Sequence, residues 1–416
     1  MAIVKPFKGL RPPKDKVEEV SCLPYDVMNS EEATKMVDGK EASLLRITRA
    51  EVEFDSKVNP HDEKVYLRAK SNFKAFQEKG FLIQDKEPHY YIYAQTMNGK
   101  TQYGIVGDAA CDDYLNGVIK KHELTRPDKE EDRKVLTRNL EANIEPVFFT
   151  YRAVPEIDAI VSDIVTNNTP EYDFIAEDGF GHHFWVIEDI ETTKLLEKLF
   201  KDKVPYTYVA DGHHRTAAAA KMSTEFSKKN PNHTGNEPYN YFMAVHFPDT
   251  QLQIIDYNRV VKDLNGLSTA EFLNKIDVNF GITQVSESIV KPEKLHDFSM
   301  YLDGKWYGLT AKKPTYNDNN PIESLDVSVL SKYILEPLLN IKDLRTDTRI
   351  DFVGGIRGLS ELSKRVDSGE MAAAFALFPV SMSQLMRIAD TNNIMPPKVT
   401  WFEPKLRSGL VINKLD

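Results

Sequence analysis

The sequence predicts a mixed α/β (α+β) protein built from more than one packed unit. Three observations carry this. The run VPYTYVADGHHRTAAAA, residues 204–220, passes from a β-rich segment through a glycine into an alanine-rich helix former. Asn98-Gly99 joins two aromatic and β-branched runs, a strong short-range hairpin signal. The chain's 416 residues exceed what one hydrophobic core usually serves. The expected division is an N-terminal segment over 1–90 packed on a core over 91–265, followed by a C-terminal α/β unit over 266–416.

Taken in order, the elements follow from local chemistry. Pro6, Pro12, Pro13 and Pro24 forbid long helices between Ile3 and Ile47, so this stretch is expected to wrap another unit. From Glu63 to Lys79, Val65, Leu67, Ala69, Phe73 and Phe76 recur at roughly helical spacing, and Gly80 supplies the stop. The charged stretch 120–146 leads into a helix from about Glu130 to Glu141, and PVFFTY then reads as a strand. A second hairpin is expected around Asp178-Gly179, followed by a helix from Glu191 to Phe200. YNYFMAVHF reads as a further strand, with QLQIIDYNRVV its partner across Asp249-Thr250. A more helical region follows, including SLDVSVLSKYILEPL, where Ser324 precedes the apolar pattern as a cap. In the tail, Trp401 and Phe402 read as core residues. Lys398, Lys405 and Arg407 form a local basic patch that either closes a site or anchors the chain end.

Composition excludes several function classes. A formal net charge of −10 argues against a non-specific nucleic-acid binder, which needs a surplus of Lys and Arg to displace counterions. With 41% apolar and 28% charged residues, the profile is that of an ordinary globular protein. Cys22 and Cys111 lie far apart, so they build neither a disulfide framework nor a four-ligand zinc site, and a reducing, cytoplasmic setting is expected. Met371–Val380 is half the ~20 residues a membrane span requires, and Pro379 interrupts it. The N-terminus MAIVKPFKGLRPP has no continuous apolar region and is not read as a signal peptide.

The turn Asp211-Gly212-His213-His214-Arg215 carries the chemistry. Backbone amides at a helix start are unsatisfied, and the helix dipole attracts anions to them. Arg215 can add a two-pronged contact to phosphate oxygens, and His213 and His214 further donors. In the bland alternative, Asp211 is an N-cap while the histidines and the arginine pair with carboxylates around a structural turn. Clustering of five polar or permissive residues between a buried strand and a helix favours the phosphate site. Zinc is not expected, because adjacent histidines point in different directions and the HExxH spacing is missing.

Together, VADGHHR, PFKGLRP, LPYDV, KHELTRPDKEEDR and MPPKVTWFEPKLRSGL resemble the domain-of-unknown-function family 1015 over nearly the whole chain. The DGHHR box is in turn similar to the phosphate-binding box of the ParB and sulfiredoxin superfamily, whose members include free-serine kinases. That resemblance implies a ParB/sulfiredoxin-like nucleotide-binding core with an N-terminal wrapping segment and a helical C-terminal unit. Phosphates are then expected on Gly212, His213, His214, Arg215 and Thr216, with His122 nearby. One departure is Thr216, which stands where many family members carry an aromatic residue.

His122-Glu123 resembles the HE pair of the serine kinases, which implies Glu123 as the base that takes the acceptor's proton. The alternative is a charge in a solvated loop. Asp211 either holds Mg²⁺, directly or through water, or orients the acceptor hydroxyl. Lys129, Asp132 and Arg133 lie in the second half of the same motif, either in a loop that folds over the phosphates or in ion pairs on a helix surface. Arg11 and Arg46 sit in matching segments and are read as packing or solvent residues rather than ligands.

These readings converge on a phosphotransferase that uses ATP or ADP with Mg²⁺ and acts on a small hydroxyl metabolite, free L-serine first, with transfer in either direction. The rival is a nucleotide-operated switch that regulates a protein partner. A sulfiredoxin-like reductase is disfavoured because neither cysteine lies in the arginine box. Neither a nucleic acid nor a membrane is an expected partner, and self-association into a homo-oligomer is left open.

Overall fold

Nine strands, among the residues described, form the main sheet of the first unit: β1 (Val4–Lys5), β2 (Tyr90–Met97), β3 (Lys100–Ala110), β4 (Ile119–Lys120), β5 (Val147–Tyr151), β6 (Tyr172–Ile175), β7 (Gly181–Ile187), β8 (Thr207–Asp211) and β9 (Tyr241–Pro248). The computed structural model describes residues 1–55 and 57–415. Spatial order runs β4-β8-β5-β9-β3-β2-β7-β6, with β1 paired to β3. Two neighbour pairs are parallel, β4 with β8 and β5 with β9, while the other pairs of this sheet are antiparallel. The β2–β3 hairpin closes at Asn98 (φ 52°) and Gly99 (φ 75°), the pair of positive φ values that a two-residue turn of matching twist demands.

Five longer helices accompany these strands: α1 (Glu63–Glu78), α2 (Pro127–Leu140), α3 (Pro155–Asn167), α4 (Ile190–Lys203) and α5 (His213–Lys229). Ile157 and Val161 of α3 and Leu196, Leu199 and Phe200 of α4 share a core with Tyr90, Ile92, Trp185 and Ile187. Ala219 and Ala220 of α5 bury against Val147, Phe149, Val209 and Phe242, where small residues let the helix lie close to the sheet. The N-terminal segment closes over α1 and α2 through Leu10, Val20, Leu44, Ile47, Val65, Phe73, Leu136 and Leu140.

The chain divides into two compact units, Met1–Leu252 with Pro404–Asp416, and Gln253–Glu403. This differs from the expected boundaries at both ends. Ile412–Lys414 forms a strand between Gly9–Arg11 and Ala142–Asn143, antiparallel to both, so the last residues belong to the first unit. The expected pairing of QLQIIDYNRVV with the preceding strand does not form. After a short 3₁₀ turn at Asp249–Gln251, Ile254–Ile255 pairs with Trp401–Phe402 and Tyr257–Val261 enters the second unit's sheet. All five residues of Tyr257–Val261 are buried, so they satisfy a strand with neighbours on both sides rather than a hairpin arm.

That second sheet is antiparallel throughout: β10 (Tyr257–Val261), β11 (Phe280–Ser286), β12 (Asp297–Leu302), β13 (Lys305–Ala311), β14 (Ile350–Gly354) and β15 (Ala373–Leu377), in the order β11-β13-β12-β15-β10-β14. The C-terminal unit expected to be helical thus carries six strands beside its helices, several of them buried on both faces and without the alternation that marks a strand in sequence. Ser324 is not a helix cap: its hydroxyl donates to the Pro321 carbonyl, and the helix Asp326–Leu330 starts after Leu325. No helix among the described residues is long and apolar enough to cross a membrane.

Ile412 is fully buried in the same core as Leu10 and Leu44. Ile412→Ala is expected to cost about 2 to 5 kcal/mol of stability, since the cavity left in a packed core adds to the lost burial. Urea denaturation measures this, and a midpoint equal to that of the unaltered protein would refute a structural role for the returning tail.

Candidate functional site

Ile119 lies opposite Thr207 and Lys120 opposite Tyr208 in parallel register, so β4 and β8 leave the sheet at the same edge. Just beyond β4 come His122 and Glu123, while β8 ends on Asp211. A register shift against β5 between Val209, opposite Phe149, and Asp211, opposite Phe148, leaves Ala210 without a partner of its own. Gly212 then adopts φ 95° and ψ 31°, and α5 begins at His213. A side chain at 212 would be strained at that φ, and its Cβ would meet the Arg215 guanidinium and Val147 at 3.2 Å. Because Gly212 offers no side-chain cap, the first amides of this 17-residue helix have neither an intrahelical nor a capping acceptor.

Asp211 accepts the Gly212 N–H on Oδ1 at 2.9 Å and the Lys405 ammonium on Oδ2 at 3.0 Å. Burial alone would raise its pKa, but the charges of Lys405 and Arg215 hold the carboxyl well below the usual range. Arg215 donates to the Pro146 carbonyl. Burial works against its charge, yet the carboxylates of Asp26, Glu145 and Asp211 raise its pKa.

His213 is buried, its Nδ1 3.8 Å from Oε2 of Glu123, and its ring stands edge-on to that of His122 with centroids 4.6 Å apart. Nε2 of His213 and both ring nitrogens of His122 are buried without a hydrogen-bond partner. Burial pushes His122 down to about 3 and His213 down to about 4; the neighbouring His213 lowers His122 further, and His214 and Lys121 do the same to His213. Both rings are therefore neutral at pH 7, each with one N–H to donate. His214 is half-buried and its Nδ1 accepts the Arg126 backbone N–H at 3.4 Å. Glu123 keeps about a third of its side chain exposed, at 35%.

The structure thus gathers Glu123, His122, Asp211, Gly212, His213 and Arg215 around one helix start. Thr216 is different. It is fully buried, and its hydroxyl donates to the Gly212 carbonyl at 3.0 Å, which closes the first helical turn instead of facing a ligand. Lys129, Asp132 and Arg133 do not sit in a loop over the phosphates; they lie on α2. Asp132 accepts from the Tyr66 hydroxyl at 2.7 Å and pairs with Arg133 at 2.6 Å and with His61 at 2.8 Å. Arg133 reaches Glu145 at 3.4 Å and lies 3.8 Å over the Tyr25 ring. Buried charges need such partners, and here they find them in the interior, against a cavity of about 150 Å³ that Lys129 also lines. Arg11 pairs with Asp85 and Glu171, and Arg46 with Glu53 and the Lys40 and Val37 carbonyls, so both serve packing.

Lys405, one of the cations expected to form a basic patch, stands on Asp211. Its only signal was a cluster of cations in an acidic chain. For a metal, both Asp211 oxygens are already engaged, and among the described residues no three His, Cys, Asp or Glu side chains gather as a ligand set. The remaining lone pairs of Asp211 suit an ion held mainly by phosphate oxygens and water, as Mg²⁺ usually is.

A family model described as a protein of unknown function, DUF1015, matches residues 4–328, and the chain belongs to that family. No curated protein matches it. Among solved structures, a free serine kinase in complex with AMP is similar at 13% identity, covering 74% of this chain and 91% of that one, with a TM-score of 0.36. SbnI with a C-terminal truncation, from Staphylococcus aureus, is similar at 11% identity over 74% and 87%, with a TM-score of 0.32. A conserved hypothetical protein from Pyrococcus furiosus is similar at 13% identity over 74% and 95%, again with a TM-score of 0.32.

The two imidazoles give a pH prediction. Their folded pKa values, about 3 and about 4, lie below the unfolded value of roughly 6.5. Between those limits the unfolded chain takes up protons that the folded one refuses. Their contribution to stability is therefore complete above about pH 6.5 and is lost as pH falls toward 4 and then 3. Imidazole NMR shifts are expected to show His122 and His213 still neutral at about pH 5; a midpoint near the ordinary histidine value for either ring would contradict the burial argument.

Proposed function

We propose that this DUF1015 protein is a nucleotide-dependent phosphotransferase that moves a phosphoryl group between ATP or ADP and the hydroxyl of a small metabolite. Free L-serine is the leading acceptor, with O-phosphoserine as product. The observation that carries the reading is that Glu123, at the end of β4, meets the uncapped helix start at Gly212–His213 from the neighbouring parallel strand. Transfer needs a proton acceptor and an anion cradle within reach of one another.

In the forward direction, the acceptor oxygen attacks the terminal phosphorus while its proton passes to Glu123. The bond from phosphorus to the bridging oxygen breaks, and the nucleotide leaves one phosphate shorter. Amides of the first turn of α5 and the Arg215 guanidinium offset charge on the phosphate oxygens. His122 and His213, neutral at pH 7, donate N–H groups and form no charged pair with Glu123. Mg²⁺ would arrive with the nucleotide and supply charge neutralisation, with Asp211 as its carboxylate on the protein side. The reverse transfer crosses the same transition state. A nucleotide switch needs the cradle but no base beside it, so the position of Glu123 favours transfer.

Glu123→Gln keeps size and polarity and removes the proton acceptor. Transfer from labelled ATP or ADP to L-serine, or to another alcohol from a metabolite panel, is expected to fall by roughly 10²-fold or more while nucleotide affinity persists. Full transfer activity in the variant excludes Glu123 as base, and nucleotide turnover that needs no acceptor favours the switch. Arg215→Ala is expected to weaken nucleotide binding by about 1.5 to 3 kcal/mol in calorimetry, as loss of a charge-assisted hydrogen bond does. Unchanged affinity in a folded variant removes Arg215 from the cradle.

A further inference from the structure

On the side of α2 toward α1, Lys129, Asp132, Arg133 and Leu136 follow the i, i+3, i+4 and i+7 spacing of a single helix face. With Tyr25 and Glu51 they line the cavity of about 150 Å³. A different face of α2 meets α5, where Glu130 pairs with Lys221 and Arg138 with Glu225 at 2.8 Å. The body of α2 therefore stands between this cavity and the helix that starts at His213.

Five Lys, Arg, Asp and Glu side chains line the cavity, and four of them cancel in pairs. Arg49 lies 2.9 Å from Glu51, and Arg133 lies 2.6 Å from Asp132. Lys129 is the fifth. The acids around it on α2 are engaged elsewhere: Asp128 by Arg126 at 2.7 Å, Glu130 by Lys221, Glu131 by Lys134 at 2.7 Å, and Asp132 by Arg133 and by His61 at 2.8 Å. Among the described residues no carboxylate pairs with the Lys129 ammonium, so the cavity carries one positive charge in excess.

Two further polar groups are unmatched there. Arg49 and the Ser30 hydroxyl, at 3.2 Å, both contact Oε1 of Glu51, and Oε2 accepts from no described residue. Tyr25 is buried and held at both ends of its backbone, its N–H donating to Glu145 Oε1 at 3.0 Å and its carbonyl accepting from Arg49 at 2.8 Å. Its hydroxyl has no partner among the described residues. Burial raises the Tyr25 pKa, so the hydroxyl keeps a proton to donate. Buried polar groups are rarely left unpaired. Here an ammonium, a carboxylate oxygen and a hydroxyl, from three separate segments, are left over at one cavity.

We propose that this cavity is a second ligand site, separate from the phosphate cradle, and that it takes a small hydroxy-carboxylate anion. The ligand's carboxylate meets Lys129 and the Tyr25 hydroxyl, and its own hydroxyl donates to Oε2 of Glu51. One excess cation matches a monoanion. A zwitterionic amino acid leaves that charge uncompensated, and a dicarboxylate brings one charge too many. At roughly 30 Å³ for each water in the liquid, the volume suits a molecule of about five to seven heavy atoms. The site does not depend on the nucleotide reading above.

Calorimetry on the full chain tests this with glycerate as the probe. Propionate lacks the hydroxyl, glycerol lacks the carboxylate, and L-serine adds an ammonium. Glycerate is expected to bind at least tenfold more tightly than each of these, and excess ADP to change its affinity by less than about twofold, since α2 lies between the two sites. Lys129→Met and Tyr25→Phe each remove a group that no protein partner uses, so the fold keeps its contacts. The first is expected to weaken glycerate binding tenfold or more and the second severalfold, as loss of a charged and of a neutral hydrogen bond does.

Absence of saturable glycerate binding leaves the cavity to water alone and overturns the proposal. L-serine binding as tightly as glycerate removes the charge argument and the ligand class with it. Unchanged affinity in Lys129→Met, or displacement of glycerate by ADP, puts the ligand elsewhere and defeats the assignment. If the methionine variant does not fold, NMR of the unaltered protein with labelled tyrosine decides. The Tyr25 ring signal, identified by its absence from Tyr25→Phe, is expected to move with glycerate and not with glycerol, and a signal that glycerate leaves in place sinks the site. Glycerate binding without any nucleotide binding refutes the phosphotransferase reading and leaves this site standing.

Discussion

Parallel pairing of two short strands is the constraint from which the site follows. Ile119–Lys120 and Thr207–Tyr208 run side by side in the same direction, so the residues that continue each strand emerge at one edge of the sheet. Reversing one strand would put Glu123 at the opposite edge, on the order of 15 Å away for a strand of five residues at about 3.3 Å each. β5 completes the edge from the other side. It is antiparallel to β8, so its leading residues Glu145 and Pro146 arrive where β8 ends, and Pro146 is there to receive Arg215. Two carboxylates, an arginine and a helix start, drawn from segments far apart in sequence, thus share a neighbourhood by topology.

Electrostatics then sets what this neighbourhood can do. Leaving a buried nitrogen unpaired costs about 1 to 3 kcal/mol, and His122 and His213 together leave three. His246 shows that this alone does not make a site. It too is fully buried with both ring nitrogens unpaired, but it is packed among Phe149 and Phe200, with burial the sole cause of its lowered pKa. His122 and His213 differ because two carboxylates and an uncapped helix start surround them.

Much of the architecture was legible where the signal is local. Val65, Ala69, Phe73 and Phe76 announce α1, and Asn98-Gly99 requires the turn it makes, since both residues take positive φ. The helix start at Gly212 could be read from glycine between a strand run and an alanine run. What escaped was non-local. Nothing in Tyr257–Val261 says which sheet will adopt it, because a strand buried on both faces loses the alternation that would point one side to solvent. Asp132 and Arg133 look like solvated charges in a dense charged run, and only the approach of Tyr66, Tyr25 and Glu145 from other segments makes them interior. The meeting of Glu123 with His213 was suggested by family resemblance, not by any pattern in the intervening residues.

The C-terminal residues show how fold and site become one electrostatic problem. Asp211 is drawn toward protonation by burial, and Lys405 is the largest compensating charge that keeps it ionised. That lysine is held on the first unit by contacts from Gln95, and the residues after it by Tyr93, Asp178 and Cys22. The same segment then supplies Ile412 to the core of the N-terminal segment and Asn413 to the buried carboxylate of Asp108. One short segment thus both offsets the charge of Asp211 and completes a different small sheet, where the strand Ile412–Lys414 lies between Gly9–Arg11 and Ala142–Asn143.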